Sequence, residues 1–149
     1  MIYIKDVRIP ELEITQIASD NNISPKLLRV TPYIGESDVP RKVMELELYP
    51  TILDDLPRIE WKKYEVNILE KLDQLHKLEI IHGDISEENI VLNLETKEVR
   101  LIDFGLSHHV KDILVSDLDM IYEYRKIDVE TIEDLYERER IEVCWLCDN

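Results

Sequence analysis

The sequence predicts one α+β domain, with short strands in its first third, a long helix in the middle, and a hairpin followed by further helices. Its 149 residues match the size of one ordinary domain. Apolar residues occur in short strand-like runs before residue 50 and at helical spacing after residue 60. Strands and helices do not alternate regularly, which favours the α+β class over parallel βαβ units.

The first third of the chain is predicted to contain short strands and one helix, separated by scattered prolines. The helix, Glu11–Ser19, is entered through Pro10, and proline suits the first turn of a helix. In the last strand, apolar and charged residues alternate, as expected when one face of a strand is buried. The predicted strands are Ile2–Val7, Leu27–Val30 and Lys42–Leu48.

The remainder of the chain is predicted to be mainly helical around one hairpin. From Glu60 to His76–Leu78, apolar residues recur every three or four positions, which predicts a long helix with one apolar face. A polar loop, His82–Asn89, separates this helix from two short apolar runs that predict a β-hairpin. The runs are Ile90–Leu92 and Val99–Ile102, and two further helices are predicted over Ile113–Arg125 and Val129–Val143.

The composition is strongly acidic and limits the partners that the chain can bind. Asp and Glu total 33 against 18 Lys and Arg, which gives a formal charge of −15. This charge repels phosphate backbones and anionic lipid headgroups, so neither nucleic acid nor a membrane surface is an expected partner. Charged residues also interrupt every apolar run before it reaches the length of a membrane span.

The amino terminus and the cysteines predict an intracellular protein, cytoplasmic or nuclear. The amino terminus carries charge from Lys5 onward and lacks the apolar run of a secretory signal. Cys144 and Cys147 lie three positions apart, and a tetrahedral zinc site needs two more ligands than this pair supplies. We therefore expect both cysteines to be ordinary reduced thiols.

Two segments carry the functional signal. The first, Ile80–Leu92, contains the pattern His-x-Asp-x4-Asn, and the second, Leu101–Ser107, contains Asp-Phe-Gly. Together, and in this order after a long helix, they resemble the catalytic core of the protein-kinase-like superfamily. Gly83 and Ser86 stand where ordinary protein kinases have arginine and lysine. In these two positions the chain is more similar to atypical branches, namely the small kinase of the KEOPS tRNA-modification complex and the choline and aminoglycoside kinases.

These residue types suit phosphoryl transfer, whose loose and highly charged transition state needs positioning and positive charge more than covalent chemistry. Mg²⁺ prefers oxygen ligands, and Asn89 offers an amide oxygen while Asp103 offers a carboxylate. A hairpin between them would bring both to one end of two paired strands. Asp84 is the candidate general base for a substrate hydroxyl. Gly105 is expected to supply the freedom in φ that turns the chain after Asp103.

The resemblance also implies residues that hold the nucleotide. Lys5 resembles the lysine that anchors the phosphates, and Glu11 resembles its ion-pair partner. The segment Met44–Leu48 resembles the hinge strand that meets the adenine, so Glu45, Leu46 and Glu47 are expected at the nucleotide. These residues, together with Asn89 and Asp103, make up the predicted cofactor site for ATP and Mg²⁺.

Other residues are expected to support the catalytic loop. His82 is predicted to be structural and to pack near Phe104, and His76 is expected to be structural as well. Asp117 or Asp119 resembles an aspartate that buttresses the catalytic loop in the KEOPS kinase, and the sequence does not choose between them.

The expected architecture is a truncated kinase-like fold, with a reduced N-lobe and hinge over residues 1–48 and a short helical C-lobe over 49–149. A Gly-rich loop over the phosphates is missing, since the first glycine is Gly35. Three functions stay open: a minimal kinase that transfers the γ-phosphate of Mg–ATP to a protein Ser or Thr hydroxyl, an inactive kinase mimic that binds a kinase or KEOPS-like partner, and a KEOPS-type ATPase. ATP and a protein substrate or partner kinase are therefore the expected partners.

Overall fold

The computed structural model describes residues 2–7, 9–34, 40–113 and 131–148, with residues 2–7, 9, 33–34 and 40–41 described by their backbone alone. The strands in chain order are β1 (Ile2–Val7), β2 (Leu27–Ile34), β3 (Pro40–Glu47), β4 (Thr51–Ile52), β5 (Ile80–Ile81), β6 (Ile90–Asn93), β7 (Glu98–Leu101) and β8 (His108–His109). The α-helices are α1 (Ile9–Asp20), α2 (Glu65–Lys77) and α3 (Ile132–Cys147). The predicted α+β class is confirmed.

The first sheet has the strand order β1-β3-β2, and both pairings are antiparallel. All three predicted strands form, and β2 continues past the predicted end at Val30 through Pro32. Proline is tolerated there because β2 lies at an edge of this sheet and has β3 as its neighbour on one side. Helix α1 packs on the sheet, with Leu12 against the buried Met44 and Leu46.

The second sheet has the order β4-β6-β7, and the predicted hairpin is confirmed as β6 and β7. The Asn93 side chain closes the turn, since its Oδ1 accepts from the backbone N–H groups of Glu95 and Thr96 at 3.0 and 3.3 Å. Strands β5 and β8 form a separate two-stranded sheet. This sheet joins the start of the first functional segment, at Ile80, to the chain just after the second segment, at His109. The sequence did not predict this pairing, because two-residue strands carry no periodic signal.

The long helix differs from its prediction at the start. Residues Arg58–Tyr64 form a 3-10 helix, and the α-helix begins only at Glu65. Trp61 and Tyr64 are both buried, and the three residues per turn of a 3-10 helix place positions three apart on one side. The Trp61 indole N–H also donates to the Leu56 carbonyl at 3.1 Å, which holds this turn against the preceding chain.

Helix α3 begins at Ile132 and not at the predicted Val129. Thr131 is its N-cap, because Thr131 Oγ1 accepts from Asp134 N at 3.1 Å while Thr131 N donates to Asp134 Oδ2 at 3.0 Å. The helix predicted over Ile113–Arg125 lies outside the described residues apart from Ile113 itself. The main core joins α1, the second sheet, α2 and α3 through Ile14, Ile68, Leu72, Leu92, Leu101, Phe104 and Val143.

Cys144 and Cys147 are free thiols on the last turns of α3. Burial, together with the nearby Glu65 carboxylate, raises the pKa of Cys147 to about 11, so this thiol is protonated and unreactive at neutral pH. Among the described residues, no helix is both long enough and apolar enough to cross a bilayer.

Candidate functional site

His82 connects the polar loop His82–Asn89 to the Asp-Phe-Gly segment. Following the resemblance, we call this polar loop the catalytic loop. Its Nε2 lies 2.8 Å from the Ile102 carbonyl oxygen, and its Nδ1 accepts from Asp84 N at 3.1 Å. A carbonyl oxygen only accepts, so the ring carries its proton on Nε2. The ring is fully buried and lies 5.2 Å from the Phe104 ring, in the structural position that the sequence predicts.

Asp84 and Asn89 are held together inside the loop. Asn89 Nδ2 donates to the Asp84 backbone oxygen at 2.9 Å and to the Asp84 carboxylate at 3.0 Å. The amide nitrogen of Asn89 therefore faces Asp84. The Asn89 Oδ1 consequently points away from Asp84, where it can act as an acceptor for another group. Asp84 is only partly buried, so its carboxylate can be reached from solvent.

Asp103 is brought to this pair by the hairpin. Ile102 N donates to the Asn89 carbonyl oxygen at 2.9 Å, directly beyond the Ile90–Leu101 pair of β6 and β7. Both backbone groups of Ile102 are thus bonded to the catalytic loop, one to Asn89 and one to His82. The hairpin therefore unites Asp84, Asn89 and Asp103 at one end of the second sheet.

The expected role of Gly105 in the turn is wrong. The residue in the left-handed region is Asp103 itself, with φ of 62°, and Gly105 is not among the residues with positive φ. Asp103 Oδ1 accepts from Gly105 N, two residues along the chain, at 3.2 Å. This local bond stabilises the aspartate in a backbone conformation that most residues other than glycine avoid. Gly105 instead keeps a side chain away from Asp103 Oδ1, which would lie 3.1 Å from an added Cβ.

Gly83 is required at its position for two reasons. Its φ is +89°, and an added Cβ would collide with the Leu106 backbone carbonyl. The Ser107 hydroxyl donates to the His82 carbonyl at 2.5 Å, so the Leu106–Ser107 segment is held directly against this part of the loop. A larger residue here would force the two segments apart.

We predict that Gly83→Ala lowers the free energy of unfolding by about 2 to 4 kcal/mol, because it adds positive-φ strain to a backbone clash. Urea denaturation followed by circular dichroism measures this loss. Gly105→Ala is the matched control, since Gly105 has no positive φ and its nearest neighbour is a side-chain oxygen. We expect the control to lose about 1 kcal/mol or less. Equal losses in the two variants would contradict the role given to Leu106.

Glu139 of α3 anchors the catalytic loop, a role that the sequence analysis did not assign. Its carboxylate has no solvent exposure. Oε1 accepts from His82 N at 2.9 Å and Oε2 accepts from Gly83 N at 2.8 Å. His76 Nε2 lies 2.9 Å from Oε1, and the His76 ring stacks on Tyr136 at 4.5 Å. Because both loop N–H groups bond to a charged acceptor, they are more strongly held than by a neutral one.

A signal for this anchor exists in the helical spacing. The buried positions Leu135, Arg138, Glu139, Glu142 and Val143 follow the i, i+3, i+4, i+7, i+8 pattern of a helix face that packs inward. Glu139 is at the centre of that stripe, between apolar ends. The buttressing residues expected from the resemblance, Asp117 and Asp119, lie outside the described residues.

The predicted phosphate-anchoring pair is only partly described. Lys5 lies in β1 opposite Met44 of β3, and its side chain is outside the description. Glu11 is buried on α1, and its Oε2 lies 3.8 Å from the position of a Cβ on Gly105. Glu11 is therefore close to the Asp103 segment, while its pairing with Lys5 stays a prediction.

A cavity of about 170 Å³ lies where the chain passes from the first sheet to the second. The predicted hinge strand, Met44–Leu48, is the end of β3 and the first residue of the link to β4. From here on, the hinge means residues 47–50, that is Glu47 and the direct link between β3 and β4. The predicted nucleotide residues Leu46 and Glu47 line the cavity, whereas the Glu45 carboxylate accepts from Arg29 Nη2 at 2.7 Å. The cavity residues that bear on function are Leu46, Glu47, Leu48, Tyr49, Val91 and Ile102.

The donor set fits Mg²⁺ in the way that phosphotransferases use it. Asn89 Oδ1 and the Asp103 carboxylate are hard oxygen donors, and Mg²⁺ is commonly held by one or two protein oxygens together with substrate phosphates. In the described part of the chain, no three His, Cys, Asp or Glu side chains converge as a self-sufficient metal site.

Comparison with known proteins identifies the family. The family described as "Protein kinase domain" matches residues 17–125, which is well over half of the chain. The chain is 39% identical over 56 residues to the non-specific serine/threonine protein kinase Cdc7 of Drosophila melanogaster, a match that covers 38% of this chain and 8% of that protein. It is 48% identical over 54 residues to the probable inactive serine/threonine-protein kinase samkD of Dictyostelium discoideum, covering 35% of this chain and 10% of that protein.

A solved structure shares the fold. The Cydia pomonella granulovirus kinase PK-1 matches 72% of this chain and 43% of its own length, with a TM-score of 0.56 and 21% identity. The chain spans less than half of that kinase and about a tenth of the two curated relatives. The family match, the shared fold and the arrangement of Asp84, Asn89 and Asp103 agree, and the chain belongs to the protein kinase domain family.

Proposed function

We propose that this chain binds Mg–ATP at the hinge cavity and transfers the γ-phosphate to a Ser or Thr hydroxyl of a protein. The observation that carries the proposal is the pairing of Asp84 with Asn89, at 3.0 Å between the carboxylate and Nδ2, next to the Asp103 segment. A hairpin and a buried histidine hold all three residues at one end of the second sheet. Such preorganisation is what phosphoryl transfer requires of a protein.

Each residue has a distinct task in this proposal. The Asp84 carboxylate orients the acceptor hydroxyl and takes its proton as the new P–O bond to the acceptor forms and the bond from the γ-phosphorus to the ADP leaving group breaks. Asn89 Oδ1 and Asp103 would hold Mg²⁺, which when bound neutralises charge on the transferred phosphoryl group. The hinge supplies backbone N–H and C=O groups for the adenine, and Val91 and Ile102 give it an apolar surface. Lys5 and Glu11 are proposed as the pair that orients the phosphates.

The relatives favour serine or threonine as the acceptor. The Drosophila relative and the human cell division cycle 7-related protein kinase, which is 32% identical over 69 residues, are both named as protein kinases, the former of the serine/threonine class. The matched segments cover 8 and 12% of those proteins. The acceptor class therefore comes to this chain as a proposal.

The second candidate function is an inactive kinase mimic that binds a partner kinase. The likeness to a relative named as probably inactive, at 48% identity, favours it. In the described residues the first sheet also has only the strands β1, β2 and β3, and none of them carries a Gly-rich loop. Against it, a binding module has no chemical need for Asp84, Asn89 and Asp103 together.

Incubation with γ-labelled ATP and Mg²⁺ separates the candidates. Label on a protein hydroxyl, either on the chain itself or on an added acceptor protein, is the expected result. Labelled free phosphate without phosphoprotein would instead favour the KEOPS-type ATPase, in which Asp84 orients water. No turnover at all, together with stabilisation by a partner kinase, would favour the mimic.

We predict that Mg–ATP raises the melting temperature and that Asp103 couples the metal to the nucleotide. With the hinge, Asp103 and Asn89 as the proposed contacts, we expect a Kd on the order of 0.1 to 1 mM. At a nucleotide concentration of about ten times the Kd, the free energy of unfolding rises by roughly 1.4 kcal/mol. For a chain of this length, the melting temperature then rises by about 3 to 6 degrees.

Differential scanning fluorimetry with and without a chelator measures this coupling. Asp103→Asn is the suitable variant, because asparagine tolerates the positive φ at this position and still accepts from Gly105 N. Wild type should gain more from Mg–ATP than from ATP with chelator, and Asp103→Asn should show equal gains. Asp112→Asn, an exposed site on the 3-10 turn after β8, serves as the control. A wild-type protein that several millimolar Mg–ATP leaves unshifted would contradict the prediction.

A further inference from the structure

Tyr49 of the hinge contacts two residues of β7 in the second sheet. The guanidinium carbon of Arg100 lies 5.4 Å from the centroid of the Tyr49 ring. The Tyr49 hydroxyl lies 3.5 Å from Glu98 Oε2, at the outer limit of hydrogen-bond distance. Glu98 and Arg100 are two residues apart on β7, so both project from the same face of that strand. We call Tyr49, Glu98 and Arg100 the hinge clasp.

Arg100 is itself fixed to the second sheet. It is half-buried, and its Nη1 donates to the Val99 carbonyl at 2.8 Å. In the hairpin register Arg100 is directly opposite Val91, which lines the cavity. Through Arg100, the hinge is therefore attached to the hairpin that forms the opposite wall of the cavity.

The surroundings of the clasp agree with a specific contact. Burial is the main cause that raises the pKa of the Tyr49 phenol, and the negative charges of Glu98 and Glu47 add to the rise because they repel a phenolate, while the Arg100 cation opposes it. The phenol is consequently neutral over the physiological range and keeps its hydroxyl hydrogen for Glu98. Its ring face remains available to the Arg100 cation.

We propose that Arg100 is a positioning residue for the nucleotide, which fixes the hinge through Tyr49 and so sets the distance between the hinge and Val91. The inference rests on the proposed function, because it takes an adenine nucleotide as the occupant of the cavity. A hinge that moves away from Val91 widens the cavity and weakens contact with a flat ring. Arg100 touches no nucleotide itself and acts entirely through Tyr49.

Binding of ADP without metal tests the clasp, since it depends on the hinge and not on Asp103. Arg100→Gln keeps a polar side chain but is shorter and removes the cation, and it should weaken ADP binding about three- to tenfold by isothermal titration calorimetry. Arg100→Lys restores a cation over the ring and should remain within about twofold of wild type. Arg58→Gln is the matched control, because Arg58 lies 5.6 Å from the Trp61 centroid in the same kind of contact away from the cavity.

Hydrogen exchange of the hinge amides gives a second readout that needs no nucleotide. The amides of Leu48 and Tyr49 should exchange faster in Arg100→Gln and not in Arg58→Gln. If Arg100→Gln lowers the melting temperature while both the ADP affinity and the hinge exchange match wild type, Arg100 is only structural and the proposal is overturned. If wild type binds no ADP, the proposed function and the nucleotide role of Arg100 fail together, and faster hinge exchange would then leave a clasp without that role.

Discussion

Replacing Asp84 by asparagine should abolish phosphoryl transfer and leave the fold intact. Asparagine has the same shape and still offers an oxygen to the Asn89 amide, so the 3.0 Å contact between the two side chains can persist. What is lost is the proton acceptor, and removing a general base typically slows turnover by ~10² to 10⁴-fold. The rate of label transfer from γ-labelled ATP, measured beside a circular-dichroism melt, gives both quantities.

The expected pair of results is lost labelling with a melting temperature within a few degrees of wild type. Asp54→Asn is a matched control, since Asp54 is an exposed aspartate on a 3-10 turn. It should leave labelling unchanged. A collapsed melt in Asp84→Asn would show that Asp84 is a structural residue, and labelling that survives unchanged would remove it from the mechanism.

Replacing Glu139 by alanine should lower the free energy of unfolding more than Gly83→Ala does. The change leaves the buried N–H groups of His82 and Gly83 without their acceptor, and each unsatisfied buried group costs about 1 to 3 kcal/mol. The cavity left by the missing side chain adds to this cost. We therefore expect a loss of roughly 3 to 5 kcal/mol in the free energy of unfolding. The melting temperature should fall by roughly 6 to 20 degrees.

Two further variants keep this prediction testable if Glu139→Ala fails to fold. Glu137→Ala removes an exposed glutamate from the same helix and should change stability by about 0.5 kcal/mol or less. Glu139→Gln preserves the volume but replaces one accepting oxygen by an NH₂ group that faces a backbone N–H. The amides of His82 and Gly83 should therefore exchange faster in Glu139→Gln than in wild type. Unchanged exchange at these two amides would contradict the anchoring role.

Local sequence patterns were sufficient for much of the fold. The strands β1 and β3, helix α2 and the β6–β7 hairpin form where apolar spacing and turn residues predict them. The spacing of His82, Asp84 and Asn89, followed by Asp103, also indicated the family without any structure, because these residues meet through one short loop and one hairpin. Contacts of this kind are encoded by neighbours in the chain, so a local pattern predicts them.

Long-range contacts decided the rest. Glu139 bonds to Gly83 across 56 positions of sequence, and Tyr49 meets Glu98 across 49. A charged residue in the run Glu137–Arg140 reads as solvent-exposed in isolation, and only the packing of α3 on α2 and β5 shows that Glu139 is buried. Gly83 likewise must lack a Cβ because the Leu106 backbone packs against it. Gly105 loses its predicted role because the positive φ falls on Asp103, two residues earlier, whose carboxylate accepts from Gly105 N. The sequence alone indicated which residues are proposed to carry the chemistry, whereas the tertiary structure decided which residues hold them in place, because a buried polar group acquires its partner only when distant segments pack together.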